Sequence, residues 1–176
     1  QLDGDISQED SFSEMAQKVL NTNVNALKET FSLLNEENFD KVIRHLHDAD
    51  RICFYGVGAS MLTAMKAANK FLRIEPKVYC VQDPHMQAMV ASMMSERDVA
   101  IAVSYSGATK DTIHVAELAK KAGARVICIT RFVKSPLTSY SDVTLLCGAN
   151  EGPLQGGSTS AEISQLFLVD LIYTEY

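Results

Sequence analysis

A chain of 176 residues, 47% hydrophobic and 22% charged, is sized for one globular domain with a sizeable core, and two full domains would be cramped. A net charge of −6 and the lack of any lysine or arginine cluster exclude a phosphate-neutralising nucleic-acid surface within these residues. No apolar run approaches the roughly 18 residues that span a bilayer, which fits a soluble protein.

The first ten residues, QLDGDISQED, are acidic and polar and lack the basic end and apolar run of a signal peptide, so 1–10 reads as a linker. Residues 11–176 read as one domain. Within it, Phe12, Met15, Ala16, Val19, Leu27, Phe31 and Leu34 recur at three- and four-residue steps, predicting a helix; a second is expected over 39–47. These form a helical lead-in over about 11–48. From residue 51 short runs rich in Val, Ile, Cys and Tyr alternate with helical patterns. Strands are expected over 51–55, 77–81, 98–103, 125–130 and 143–147, with near-continuous hydrophobicity that implies burial on both faces. Helices are expected over 60–72, 84–94 and 111–122, a short one near 135–140, and a last one from 160 to the end. Asp83 before Pro84 can cap one helix, and Gly123 can end another. The alternation predicts an α/β fold with a parallel sheet; the arrangement taken for it is three layers around a doubly wound, five-stranded sheet of order 2-1-3-4-5, with N-terminal helices.

In such a sheet, ligands bind at the carboxyl ends of the strands where the order reverses. After the first strand comes Gly56-Val57-Gly58-Ala59-Ser60, after the third Ser104 to Thr109, and after the fifth GANEGPLQGGSTS, 148–160. Glycines let backbone N–H groups come close to an anion, and helix starts offer unpaired donors. The P-loop pattern GxxxxGK[ST] is absent, and Met61 stands where a dinucleotide fingerprint has its third glycine. A pocket for one phosphate on a small polar molecule remains. Ser60, Thr109 and Ser158 taken singly read first as helix caps. Ser104, Ser106 and Thr109 in one loop, and Ser158, Thr159 and Ser160 in another, exceed what capping requires. Asp111, at the positive end of its helix, is expected to point away from an anion.

Cys53, Cys80, Cys128 and Cys147 lie in or beside apolar runs without metal or redox-pair spacing and read as core residues of a protein from a reducing compartment. His45, His47 and His114 read as ordinary helix residues. Met86, Met89, Met93 and Met94 crowd one helix, at a spacing that fits core or subunit-interface packing. No metal or cofactor is expected.

GVGAS followed by SYSGATKDT and a Gly- and Ser-rich third loop resembles the SIS domain, the sugar isomerase fold that binds phosphosugars, over about 40–176. Within that group, DPHMQAMVASMMSERDVAIAVSYSGATKDT is similar to the effector domain of the MurR/RpiR family of bacterial transcriptional regulators. The resemblance implies a ligand site of Gly58, Ala59, Ser60, Ser104, Tyr105, Ser106, Gly107, Thr109, Ser158 and Thr159. His85 and Glu151 would contact sugar hydroxyls. It further implies a cytoplasmic homo-oligomer (dimer or tetramer), with the first and last helices as candidate contacts. DNA would be bound only through an N-terminal helix-turn-helix domain outside these residues. The alternative is an aldose–ketose isomerase, which needs a positioned base and an acid; Glu151, His85 and Glu162 are the candidates.

Overall fold

The computed structural model describes residues 6–149 and 158–176. Two helices, α1 (Phe12–Ser32) and α2 (Glu36–Asp48), precede an alternating series: β1 (Arg51–Tyr55), α3 (Ala59–Phe71), β2 (Val78–Cys80), α4 (Pro84–Ser92), β3 (Asp98–Val103), α5 (Lys110–Lys121), β4 (Arg125–Thr130), β5 (Val143–Leu146) and α6 (Thr159–Glu175). A single 3-10 turn, Thr138–Tyr140, stands where a short helix was expected between β4 and β5. The five strands form one parallel sheet of order β2-β1-β3-β4-β5, as predicted, with Ile52 opposite Val78 and Val99, and Val99 opposite Arg125.

Strand periodicity sorts the core into two layers. Ile52, Phe54, Val99, Ile101, Val103, Ile127 and Ile129 face α2, α3 and α6, where they meet Leu46, Phe71, Leu168, Val169 and Ile172. The alternate residues Cys53, Tyr55, Ala100, Ala102, Val126 and Cys128 face α4 and α5. That second layer is built from small residues: Ala100 and Ala102 meet Ala116 and Ala119, so α5 can lie close to the sheet. Burial also pushes the Cys128 thiol up to about 11, making it an inert packing group.

Local chemistry sets the helix starts. Ser11 and Glu14 form a capping box on α1, Asn35 caps α2 and Asp83 caps α4 with Pro84 in the first turn. Gly123 takes φ +95 after α5, in the left-handed region that glycine reaches at little cost. α2 starts three residues earlier than the apolar pattern predicts, because Asn35 accepts from the Asn38 N–H and Glu36 and Glu37 favour the first turn.

α1 is tied into the domain at its carboxyl-terminal turn. Its Thr30 is fully buried, and its hydroxyl donates to Ala26 O and accepts from Gly148 N at 2.9 Å. Next to it, Glu29 pairs with Arg131 at 2.6 Å. One turn of α1 is thereby fastened to the residues just after both β4 and β5.

Burial differs among the helices named as candidate contacts. α6 packs Leu168, Val169 and Ile172 into the protein's own core. α4 ends at Ser92, two residues before the expected 94; beyond it Met94 is buried, while Met86, Met89 and the cap residue Met93 are 47%, 59% and 75% exposed. α1 keeps exposed apolar residues, Phe12, Val19, Leu20 and Phe31 among them.

Candidate functional site

The β1–α3 and β3–α5 loops lie side by side because β1 and β3 are neighbours in the sheet, and the start of α6 closes the third side. Between them is a cleft of about 250 Å³ lined by Val57, Ala59, Ser60, Tyr105, Ser106, Thr109, Ser158, Ala161, Glu162 and Gln165. Ser60, Ser106, Thr109 and Ser158 bring four hydroxyls to one small space. Among the described residues no lysine, arginine or histidine lines it.

Two of the three helix starts around this cleft differ from those elsewhere. α1, α2, α4 and α6 each have a side-chain cap on a first-turn N–H. α3 and α5 have none. At α3 the cap position is Gly58, with φ +60 and no side chain, so Ser60 falls inside the first turn rather than capping it. At α5 Thr109 occupies the cap position, yet its hydroxyl lies 3.3 Å from Ser104 Oγ and makes no cap bond. The two helices flanking the strand-order reversal therefore present first-turn N–H groups, with the positive ends of their dipoles, to the cleft. Ser158 does both jobs considered for it: it accepts from Ala161 N at 3.2 Å as the cap of α6 and also lines the cleft.

Buried contacts hold the loops in shape. Gly56 is obligatory, because a Cβ there would stand 2.7 Å from Ser60 O. The Gly56 carbonyl accepts from Nε2 of the fully buried Gln87 at 3.0 Å. Gly107 has φ +62, and a Cβ on it would lie 2.6 Å from Ser135 Cβ. Ser104 is 2% exposed and its hydroxyl accepts from Gly107 N at 3.2 Å, so it shapes the loop from behind instead of lining the cleft. Ser106 is exposed and accepts only weakly from Ala108 N at 3.2 Å. The Tyr105 hydroxyl donates to Ala149 O, and its carbonyl accepts from Arg131 N at 2.9 Å.

Other residues singled out in the sequence fall elsewhere. Thr159 is exposed and does not line the cleft; the same holds for His85, on the first turn of α4. Asp111 is exposed and away from it, as expected. Glu151 lies outside the described residues. Glu162 does line the cleft, with its carboxylate 3.6 Å from Lys66 Nζ. Gln165 was missed, because a glutamine in the middle of an apolar helix carries no motif; its spacing of three from Glu162 is the signal that was there.

A second cleft, about 290 Å³, opens at the amino ends of the strands among His45, Asp48, Glu96, Arg97, Asp98 and Arg125. There burial and the nearby Arg125 charge push the His45 imidazole down. Arg97 is committed to Asp50 at 2.6 Å. It receives the carboxyl end of α2 rather than helix starts, and its charges are mixed. Among the described residues no group of three or more His, Cys, Asp or Glu side chains could hold a metal ion, and no helix is long and apolar enough to cross a membrane.

The fold is a doubly wound α/β domain whose two uncapped helix starts face a hydroxyl-lined cleft at the switch point of the sheet. The chain belongs to the SIS domain family, whose model matches residues 45–175. It is similar to a helix-turn-helix-type transcriptional regulator of Haemophilus influenzae, 38% identical over 98% of this chain and 60% of that protein. It is also similar to the regulator RpiR of Escherichia coli K12, 33% identical over 98% of this chain and 58% of that protein. Among solved structures, the Vibrio vulnificus NanR protein complexed with ManNAc-6P superposes with a TM-score of 0.88 at 33% identity, covering 96% of this chain and 62% of that one. The chain thus spans about three fifths of the length of these relatives.

Proposed function

We propose that this chain is the effector-sensing domain of a bacterial transcriptional regulator. It binds a sugar phosphate, with amino- and N-acetyl-sugar 6-phosphates the first to test, and so modulates DNA binding by a helix-turn-helix domain N-terminal to α1. The observation that carries the reading is the pair of uncapped helix starts, α3 and α5, converging on a cleft with four hydroxyls. The phosphate sits there, held by backbone N–H groups with Ser60, Ser106 and Thr109. The rest of the sugar extends toward Glu162, Gln165 and Ser158. The similar regulators support the sensing role, and the NanR complex supports the ligand class.

The protein is a cytoplasmic homo-oligomer in this reading, with exposed apolar residues of α1 and α4 available for subunit contact. Sensing rather than isomerisation is favoured by the relatives and by His85, which stands apart from the cleft that holds Glu162. The test is a thermal-shift screen of hexose, amino-sugar and N-acetylated sugar phosphates. A ligand at 100 times its Kd adds about 2.7 kcal/mol, a rise of about 5 to 10 °C for a domain of this size. No shift with any of them would remove the sugar-phosphate site. Solvent deuterium appearing at the second carbon of a bound sugar, abolished by Glu162→Gln, would replace the sensor with an isomerase.

A further inference from the structure

Gln165 is a cleft residue whose amide is fixed in one orientation. It is 3% exposed on α6, and its Oε1 accepts from Thr63 Oγ1 at 2.8 Å. Thr63 is fully buried on α3, so no water competes for its hydroxyl and the glutamine oxygen is its partner. The Nε2 group makes no hydrogen bond to the described residues, and it is not one of the side-chain atoms sealed from solvent without a partner. A residue this buried has its remaining open atom at the wall it lines, which is the cleft. One turn earlier on the same helix, Glu162 brings a carboxylate to the same wall.

We propose that Gln165 is a specificity-determining residue, which donates an N–H to an oxygen on the non-phosphate end of the ligand, and that Thr63 is the positioning residue that keeps this donor inward. The proposal rests on the sugar-phosphate reading and narrows it: the bound sugar presents a hydroxyl or carbonyl oxygen to Gln165. A buried amide aimed at an apolar or purely donating group would lose its partner, which is how a polar wall rejects a near-isostere. Glu162 complements it by accepting from a hydroxyl or N–H alongside.

A structural role alone, in which the Thr63–Gln165 bond merely fastens α3 to α6, predicts a different outcome. Titration calorimetry separates the two, using inorganic phosphate and the tightest-binding hexose 6-phosphate among those with a hydroxyl, amino or acetamido group at the second carbon. Gln165→Met is expected to weaken the hexose phosphate by roughly tenfold while inorganic phosphate binds as in the wild type. Thr63→Val, which frees the amide to turn over, is expected to weaken it by a smaller factor, and Thr63→Ser to restore it. Equal weakening of both probes, or unchanged hexose-phosphate affinity in Gln165→Met, overturns the proposal. If Gln165→Met does not fold, equal affinity of Thr63→Val and Thr63→Ser does so. A wild-type chain that binds none of the hexose phosphates defeats the function reading itself.

Discussion

Ser104 and Ser106 stand two residues apart in one loop and should respond in opposite ways to the same change. Ser106 is exposed, lines the cleft, and makes only a 3.2 Å contact with Ala108 N. Ser106→Ala is expected to cost the unliganded fold less than about 0.5 kcal/mol, as for surface changes generally. It removes a donor to a charged phosphate, which is worth about 1.5 to 3 kcal/mol, so the Kd should rise by about 10- to 150-fold. Ser104 is 2% exposed, accepts from Gly107 N and lies 3.3 Å from Thr109 Oγ1. Ser104→Ala should cost about 1 kcal/mol of stability, or about 2 to 4 °C in midpoint for a domain of this size. Its effect on affinity is the smaller one, acting through loop shape. Thermal unfolding without ligand and calorimetric titration with the best hexose phosphate read the two quantities separately. A Ser106→Ala chain with lowered midpoint and unchanged affinity would refute the placement of the phosphate at this loop.

Three further outcomes follow from the geometry. Gly107→Ala meets both a left-handed φ of +62 and a Cβ 2.6 Å from Ser135 Cβ, so it should lose about 2 kcal/mol or more and most ligand affinity; a wild-type midpoint in thermal unfolding contradicts this. Thr30→Val leaves Gly148 N–H buried without its 2.9 Å acceptor and should cost about 1 to 3 kcal/mol, read by urea unfolding. Asp98 is pushed up by burial but more strongly lowered by the Arg51 guanidinium, at 2.7 Å, and by Ser95, so its native carboxyl lies below the ordinary value of 3.8. The stability it contributes is complete above that value and is lost as pH falls through the lowered native one. Urea midpoints should therefore drop below about pH 4, and Asp98→Asn should flatten that part of the profile.

Strands were the most legible part of the chain because their signal is local. β1, β3 and β4 match the expected 51–55, 98–103 and 125–130, while β2 is one residue short at each end and β5 ends one residue short. The order 2-1-3-4-5, taken as the arrangement of such a sheet, is the one observed; alternation by itself gives only that the strands are parallel. Helix starts were less legible where the cap is a backbone conformation: nothing but φ +60 at Gly58 makes α3 begin before Ser60. In the site, Ser60, Ser106, Thr109 and Ser158 were readable because hydroxyls clustered in strand-end loops. Ser104 looked equivalent to Ser106, since residues two apart share a face of a strand; the turn just after β3, where Gly107 N bonds back to Ser104, sets one inward and the other out. Gln165 and Thr63 are 102 residues apart in sequence and meet only when α6 packs on α3. The tie of α1 to Gly148 and Arg131 was hidden for the same reason, since a buried threonine in a helix carries no motif.

The central claim is that the phosphate occupies the two uncapped helix starts at the switch point. Backbone amide chemical shifts, followed by NMR while a hexose 6-phosphate is added, test it most directly. The largest changes should fall on Gly58 to Met61 and Ser106 to Asp111, with the same set responding to inorganic phosphate. Changes centred instead on His45 to Asp48 and Glu96 to Asp98, at the opposite end of the sheet, would contradict it.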